Sequence, residues 1–304
     1  MKETHLLVVG SDGLVGKALC SRALAESVKV TKLSHRKKSA GPGANEFEFD
    51  LTDEAPLLGV DLSSITHGVV LAGVTSIAAC ENQPEITWRT NVIGMQRVVS
   101  TLTHAGIAVT VASSSQVFSR FLQSPSVNSP RRPVCEYGRQ KVALEDSIGT
   151  LPGVQIVRFT KILAPSSPLV RFWIDAARRG QFFSAFSNVT VAPISLASAV
   201  NMTLHLAVAD HYPRIVHCSS LDDFSYFDFA RCILEALGID PSFVQSRAVE
   251  ESASNGWIVG PHAALGECYP EVHSALASAR GHALQAISDQ GAGNGSSATF
   301  DVRE

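Results

Sequence analysis

Through the first 220 residues, short runs rich in β-branched and other apolar residues alternate with segments of helical periodicity. The runs fall at 6–9, 28–33, 47–50, 68–72, 107–112, 155–159 and 215–218. Between most of them lie segments that read as helices, clearest at 14–26, 84–105, 137–148, 169–179 and 196–209. In Trp88, Val92, Met95, Val99 and Leu102 the apolar side chains return on one helical face. A strand followed by a helix, repeated, builds a parallel sheet covered by helices on both faces, a doubly wound α/β fold. The 304 residues suffice for a sizeable core, and no internal repeat suggests a solenoid.

The first strand runs into Gly10-Ser11-Asp12-Gly13-Leu14-Val15-Gly16 before the first helix. The chain must turn sharply there, and Gly10 can take backbone angles closed to other residues. Gly13 lets the backbone approach a bound group, and Gly16 lets the helix lie close to the strand. The free N–H groups near Gly13, Leu14 and Val15 then point at an anion with the positive end of the helix dipole behind them. A pyrophosphate is the usual guest at a first strand-to-helix junction. Residues 34–38, at the tip of the second strand, read Ser-His-Arg-Lys-Lys and contain no carboxylate to take a ribose 2′-hydroxyl. Arg36, with Ser34 and Lys37, would suit a 2′-phosphate. An exposed basic loop accounts for the same residues. Asp50 and Leu51, closing the third strand, would lie beside an adenine.

Tyr137 and Lys141 stand four apart at the start of a helical segment, so phenol and ammonium meet the same ligand. A nearby cation favours phenolate, so the expectation is a tyrosine pKa lowered toward working pH and a residue able to give and take a proton. The fifth strand ends in Ser113-Ser114-Ser115, which puts a hydroxyl on the ligand side of such a sheet.

These residues, in this order, resemble the extended short-chain dehydrogenase/reductases, and within them the dTDP-4-dehydrorhamnose reductase-like branch of sugar-nucleotide enzymes. The resemblance spans roughly residues 5–240. It is carried by GSDGLVG at 10–16, the Asp50-Leu51 step, LAGVTSIAACENQPE at 71–85, NVIG at 91–94, SSSQVF at 113–118, YGRQK at 137–141, RFTKILAP at 158–165 and VAPISLASAV at 191–200. It implies a Rossmann-type fold with a smaller C-terminal substrate-binding part. Catalysis is then carried by Ser114, Tyr137 as the acid, and Lys141, which also holds the nicotinamide ribose. The implied cofactor contacts are Gly10, Asp12, Gly13, Leu14, Val15, Ser34, His35, Arg36, Asp50, Leu51, Leu71, Ala72, Gly73 and Lys141. Asn91 matches a helix asparagine that supports a proton relay in related enzymes. The chain departs from the rhamnose reductases after its fourth strand, in the stretch 76–80 and over its C-terminal third.

The expected activity is NADP(H)-dependent reduction of a nucleotide-linked keto-sugar, with NADP(H) preferred over NAD(H). A sugar-nucleotide epimerase or dehydratase is the second reading, and a non-catalytic NADP-binding regulatory subunit the third. The candidate substrate contacts are Thr75, Ser114, Ser115 and Tyr137, with Arg171 and Arg178, seven apart on one helix, for a diphosphate. A solvated basic helix face is the other reading of those arginines. The expected division is a cofactor domain over 1–165, with 189–220 returning to it, a substrate part over 166–285 and a disordered tail over 286–304.

A net charge of −3 gives no reason to expect nucleic acid or an anionic membrane, and no apolar run is long enough to span a bilayer. Cys20, Cys80, Cys135, Cys218, Cys232 and Cys268 include no C-x-x-C pair and mostly sit in apolar segments. Buried, reduced thiols and a cytoplasmic location follow. The histidines are scattered singly, so no metal site is proposed. Helix 84–105 could pair with a second copy in a homodimer, although the sheet accounts equally well for its apolar face.

Overall fold

The computed structural model describes residues 3–35, 45–119, 122, 124–164, 166–209, 213–249 and 278–288. In chain order, β1 (His5–Val9) leads into α1 (Leu14–Ala25), β2 (Lys29–Ser34), β3 (Glu46–Glu48) and β4 (His67–Val70). Then come α2 (Ile77–Asn82), α3 (Pro84–Trp88), α4 (Met95–His104), β5 (Ala108–Ser114), α5 (Glu136–Ile148), β6 (Val154–Phe159) and β7 (Lys161–Leu163). The C-terminal part holds α6 (Pro168–Arg178), β8 (Phe183–Phe186), β9 (Thr190–Val191), β10 (Pro193–Ser195), α7 (Leu196–Val208) and β11 (Ile215–Cys218). It continues with β12 (Phe224–Ser225), α8 (Tyr226–Ala236), β13 (Val244–Arg247) and α9 (Ala279–Ser288).

Seven strands form one parallel sheet in the order β11-β6-β5-β4-β1-β2-β3. Both faces of this Rossmann-type sheet are covered. Leu7, Val9, Val109 and Val111 pack against Met95, Val99, Leu102, Leu144 and Ile148. Leu6, Val8 and Val69 meet Leu19, Ala23, Val200 and Leu204 on the other face. Strands buried on both sides read as continuous apolar runs, which is why 6–9 and 68–72 stand out in the sequence. β11 extends the sheet beyond β6, and α7 packs against α1, so residues nearly two hundred positions apart build one core. A second core, rich in aromatics, joins α6, β8, α8, β13 and α9 around Trp173.

Three expectations need correction. The helix over 84–105 is not continuous: α3 and α4 are separated by a π-helical stretch, Arg89–Gly94. That wider turn carries Asn91, fully buried, onto the loop after β4. The third strand ends at Glu48, so Asp50 sits in a turn, where its Oδ1 accepts the Thr52 backbone N–H at 2.7 Å. α9 continues to Ser288, inside the stretch expected as a tail from 286, and residues 289–304 lie outside the described ones.

The five described cysteines are buried and joined by no disulfide among the described residues, and Cys268 lies outside them. Among the described residues, no helix is long and apolar enough to cross a membrane.

Candidate active site

The carboxyl ends of β1, β4, β5 and β6 open into a cavity of about 430 Å³. A second cavity, of about 380 Å³, lies toward β2 and β3. They share Gly10, Gly13, Leu71, Ala72 and Gly73, so a long ligand can run from one into the other across the glycine turn. This is where a doubly wound sheet binds ligands, since helix N-termini and strand ends converge there.

The turn is built as its spacing requires. Gly10 has φ +88°, and a Cβ there would stand 2.7 Å from the Ala72 backbone nitrogen. A Cβ on Gly16 would stand 2.1 Å from the Gly10 carbonyl oxygen, so only glycine lets α1 lie this close to the strand end. α1 starts without a side-chain cap and without an acidic residue in its first turn. Its first N–H groups, at Leu14, Val15 and Gly16, belong to residues lining the first cavity. A positive helix end facing a cavity that no side chain fills fits the phosphates of a dinucleotide.

Asp12, His35, Asp50 and Leu51 line the second cavity, together with Phe49, Thr52 and Thr90. His35 Nδ1 stands 3.6 Å from an Asp50 carboxylate oxygen. The Asp50 carboxyl is held below its usual value, first by the Thr52 backbone N–H, with smaller help from the Thr52 hydroxyl and His35. Ser34 is buried at the end of β2. Arg36 and Lys37, the proposed 2′-phosphate contacts, lie outside the described residues.

At the other end of the cleft, β5 delivers Ser114 and α5 delivers Tyr137 and Lys141; all three line the first cavity. α5 is capped by Cys135, whose Sγ accepts the Gly138 N–H at 3.4 Å. Gly138 lets this helix approach the turn Ser115–Val117, because a Cβ there would lie 2.3 Å from the Gln116 carbonyl oxygen. Ser114 Oγ accepts the Gln116 N–H at 3.2 Å, and its hydroxyl lies close enough to the Tyr137 phenol to favour the ionised form. Lys141 Nζ donates to the Ala112 carbonyl at 3.0 Å and stands 5.7 Å from the centre of the Tyr137 ring.

The electrostatics overturn one expectation. Burial raises the Tyr137 phenol well above its ordinary value, although the neighbouring Ser114 hydroxyl acts in the opposite direction. Burial also pushes Lys141 down to about 8, with Glu145 opposing. Desolvation disfavours both charged forms, and it dominates the phenol's shift. Tyr137 therefore carries its proton at neutral pH, as an acid must.

Beneath this pair lies a network that the sequence did not signal. Arg158 and Glu145, both almost fully buried, meet through Nη2 and Oε2 at 2.7 Å and through Nε and Oε1 at 3.0 Å. Ser113 donates to the same Glu145 at 2.5 Å, and Arg131 reaches it at 3.2 Å. Asn91 ties the loop after β4 to α5: its Oδ1 accepts the Val74 N–H at 2.7 Å, while its Nδ2 donates to Gln140 Oε1 at 2.8 Å. With these bonds made inside the protein, Asn91 acts as a clamp.

Of the proposed substrate contacts, Thr75 and Ser115 line the first cavity beside Ser114 and Tyr137, with Thr75 exposed. Arg171 and Arg178 do not reach either cavity. α6 turns Val170, Trp173, Ile174 and Ala177 inward, and this leaves both arginines exposed on its outer side. Lys161, which spacing did not single out, lines the cleft instead.

One family model matches this frame: residues 6–151 fit that of the NAD dependent epimerase/dehydratase family. Among individual proteins, the chain is similar to the dTDP-4-dehydrorhamnose reductase of Mycolicibacterium smegmatis, 23% identical over 249 residues, which cover 79% of this chain and 72% of the relative. Its fold is that of the dTDP-4-dehydrorhamnose reductase from Bacillus anthracis in complex with NADP, with a TM-score of 0.79 and 18% identity over 95% of this chain and all (100%) of the other. It is also that of DesIV, a dTDP-glucose 4,6-dehydratase from Streptomyces venezuelae with NAD bound, with a TM-score of 0.76 and 18% identity over 96% and 98% of the two chains.

Proposed function

We propose that this chain is an NADPH-preferring reductase of a nucleotide-linked keto-sugar, with Tyr137 as the proton donor. The observation that carries the reading is the grouping of Ser114, Tyr137 and Lys141 along one cavity that runs to the glycine turn. The bound nicotinamide supplies a hydride. The chain supplies the rest. Gly10, Gly13, Leu14 and Val15 hold the phosphates, and Leu71, Ala72 and Gly73 form the wall between the two cavities. Ser114 Oγ takes its hydrogen bond from Gln116, which leaves its own proton to donate to the substrate carbonyl oxygen. As charge develops on that oxygen, Tyr137 gives it a proton. The raised phenol pKa suits this direction, because an alkoxide is a stronger base than a phenolate. Lys141, protonated below about pH 8, holds the nicotinamide ribose and steadies the phenolate that remains.

The preference for NADPH rests on Arg36 and the absence of a carboxylate at 34–38. Dissociation constants for NADPH and NADH, measured on the wild type and on Arg36→Asp, test it. NADPH should bind more tightly to the wild type, and the substitution should move the preference toward NADH. Equal wild-type affinities would remove this part of the assignment. Steady NADPH oxidation with a dTDP-linked 4-keto-sugar would separate a reductase from an epimerase, which returns its cofactor unchanged.

A further inference from the structure

Among the described residues lining the first cavity, Lys161 is the second cation, after Lys141, and none is an Asp or Glu. Lys141 is committed to the Ala112 carbonyl and lies beneath the tyrosine ring. Lys161 has no such commitment: among the described residues it has neither a carboxylate nor a hydrogen-bond partner. It is exposed, yet the walls of the cleft remove enough water to push its pKa down. Next to it, Thr160 is only 8% exposed, lines the same cavity and has an Oγ1 without a hydrogen-bond partner. A buried hydroxyl left unpaired costs free energy unless a ligand meets it.

Topology fixes which end of the cleft these groups serve. Ser114 is paired with Phe159, so Thr160 and Lys161 follow directly on the residue beside Ser114, where the chain leaves β6 for β7. Adjacent strands lie about 4.8 Å apart, and β1 is three strands from β6, so the glycine turn is roughly 14 Å away across the sheet. The anion that Lys161 awaits is thus not the pyrophosphate held at that turn.

We infer that Lys161 and Thr160 form an anion subsite on the acceptor side of the cleft, taking a carboxylate or phosphoryl group of the molecule whose carbonyl is reduced. The inference rests on the keto-sugar reading and sharpens it: the substrate places a negative group near its reacting carbon. Two sources share this chemistry, a carboxylate on the sugar and a phosphoryl oxygen of the nucleotide.

The test is calorimetry on the full chain saturated with NADPH, using UDP, UDP-glucose and UDP-glucuronic acid as probes. Wild type is compared with Lys161→Met, Lys161→Gln and Lys161→Arg. Thermal midpoints and NADPH affinities are read alongside, and neither should move. If a sugar carboxylate is bound, UDP-glucuronic acid binds more tightly than UDP-glucose, and Lys161→Met removes that margin. If a phosphoryl group is bound, all three probes weaken together. Loss of a charge-assisted hydrogen bond makes either drop roughly tenfold or more, and Lys161→Arg should restore most of it. Should Lys161→Met lower the midpoint, the Gln and Arg variants carry the comparison. Unchanged affinities in the neutral variants overturn the subsite and leave the keto-sugar reading standing. If no probe binds the wild type, the sugar-nucleotide reading fails, and glucuronate and inorganic phosphate decide the subsite. Binding of either that depends on Lys161 supports it, and no binding overturns it.

Discussion

The parallel sheet buries aliphatic side chains on both faces, Leu7, Val9 and Val109 on one and Leu6, Val8 and Val69 on the other. The cluster behind α6 and α8 is built differently. Trp173 stacks on Phe183 at 6.3 Å between ring centres and meets Phe229 edge-on at 5.3 Å, and Phe224 closes on Phe229 at 5.2 Å. The sheet presents strand ends and helix N-termini along one edge, so its chemistry is local to the turns. The cluster contributes bulk, with the cleft-facing Lys161 in the segment that leaves the sheet for it. Turnover and stability should therefore divide between the two regions.

The strongest test of that division is Tyr137→Phe. The ring keeps its place beside Cys80 and Cys135, so folding and NADPH affinity should hardly change. Turnover should fall by roughly a thousandfold, the scale of a lost general acid. A variant with near-normal kcat would detach the sheet edge from the chemistry. Lys141→Met should damage both turnover and NADPH binding. In the wild type, NADPH affinity should decline as pH rises through about 8, where Lys141 gives up its charge.

Trp173→Ala should show the opposite pattern. Trp173 is 2% exposed, and truncating such a ring costs about 3–5 kcal/mol through lost burial and the cavity left behind. The urea midpoint should drop. Cofactor affinity, measured where the variant is still folded, should remain close to the wild type. If cofactor affinity collapses while the fold persists, the two regions are coupled and the comparison fails.

How far the sequence could be read follows the same line. That the glycine turn, Ser114, Tyr137 and Lys141 would line one cleft was legible because each depends on spacing within one strand-to-helix unit, and such units come from contiguous residues. The sheet was legible because strands covered on both faces cannot hide their apolar runs. The Glu145–Arg158 pair was not, since its partners come from α5 and β6 and nothing in local spacing joins them. Arg171 and Arg178 were misplaced for a related reason. Spacing puts them on a common helix face, but the direction of that face is set by Trp173 packing on residues up to sixty positions away. The tyrosine pKa depends on burial, a property of the assembled site.

The smallest expected effect falls inside the sheet, at His67. It opens β4, is 6% exposed and pairs its Nε2 with the Thr110 hydroxyl at 2.9 Å across the β4–β5 ladder. Burial pushes its pKa from the ordinary 6.5 down to about 4. Above 6.5 the ring is neutral in both folded and unfolded chains and contributes no pH dependence. As pH falls below that value, the unfolded chain takes up a proton that the folded one refuses, so stability is lost down to about 4, where the folded ring also titrates. Between pH 7 and pH 5 this amounts to about 2 kcal/mol. His67→Gln keeps an amide N–H for Thr110 and removes the titration. Urea unfolding at the two pH values should therefore show a smaller acid loss in the variant than in the wild type, by about that amount. Equal losses would mean that the sheet interior admits a charged imidazole near β4, and that the strand ends are less sealed than the aliphatic packing on both faces requires.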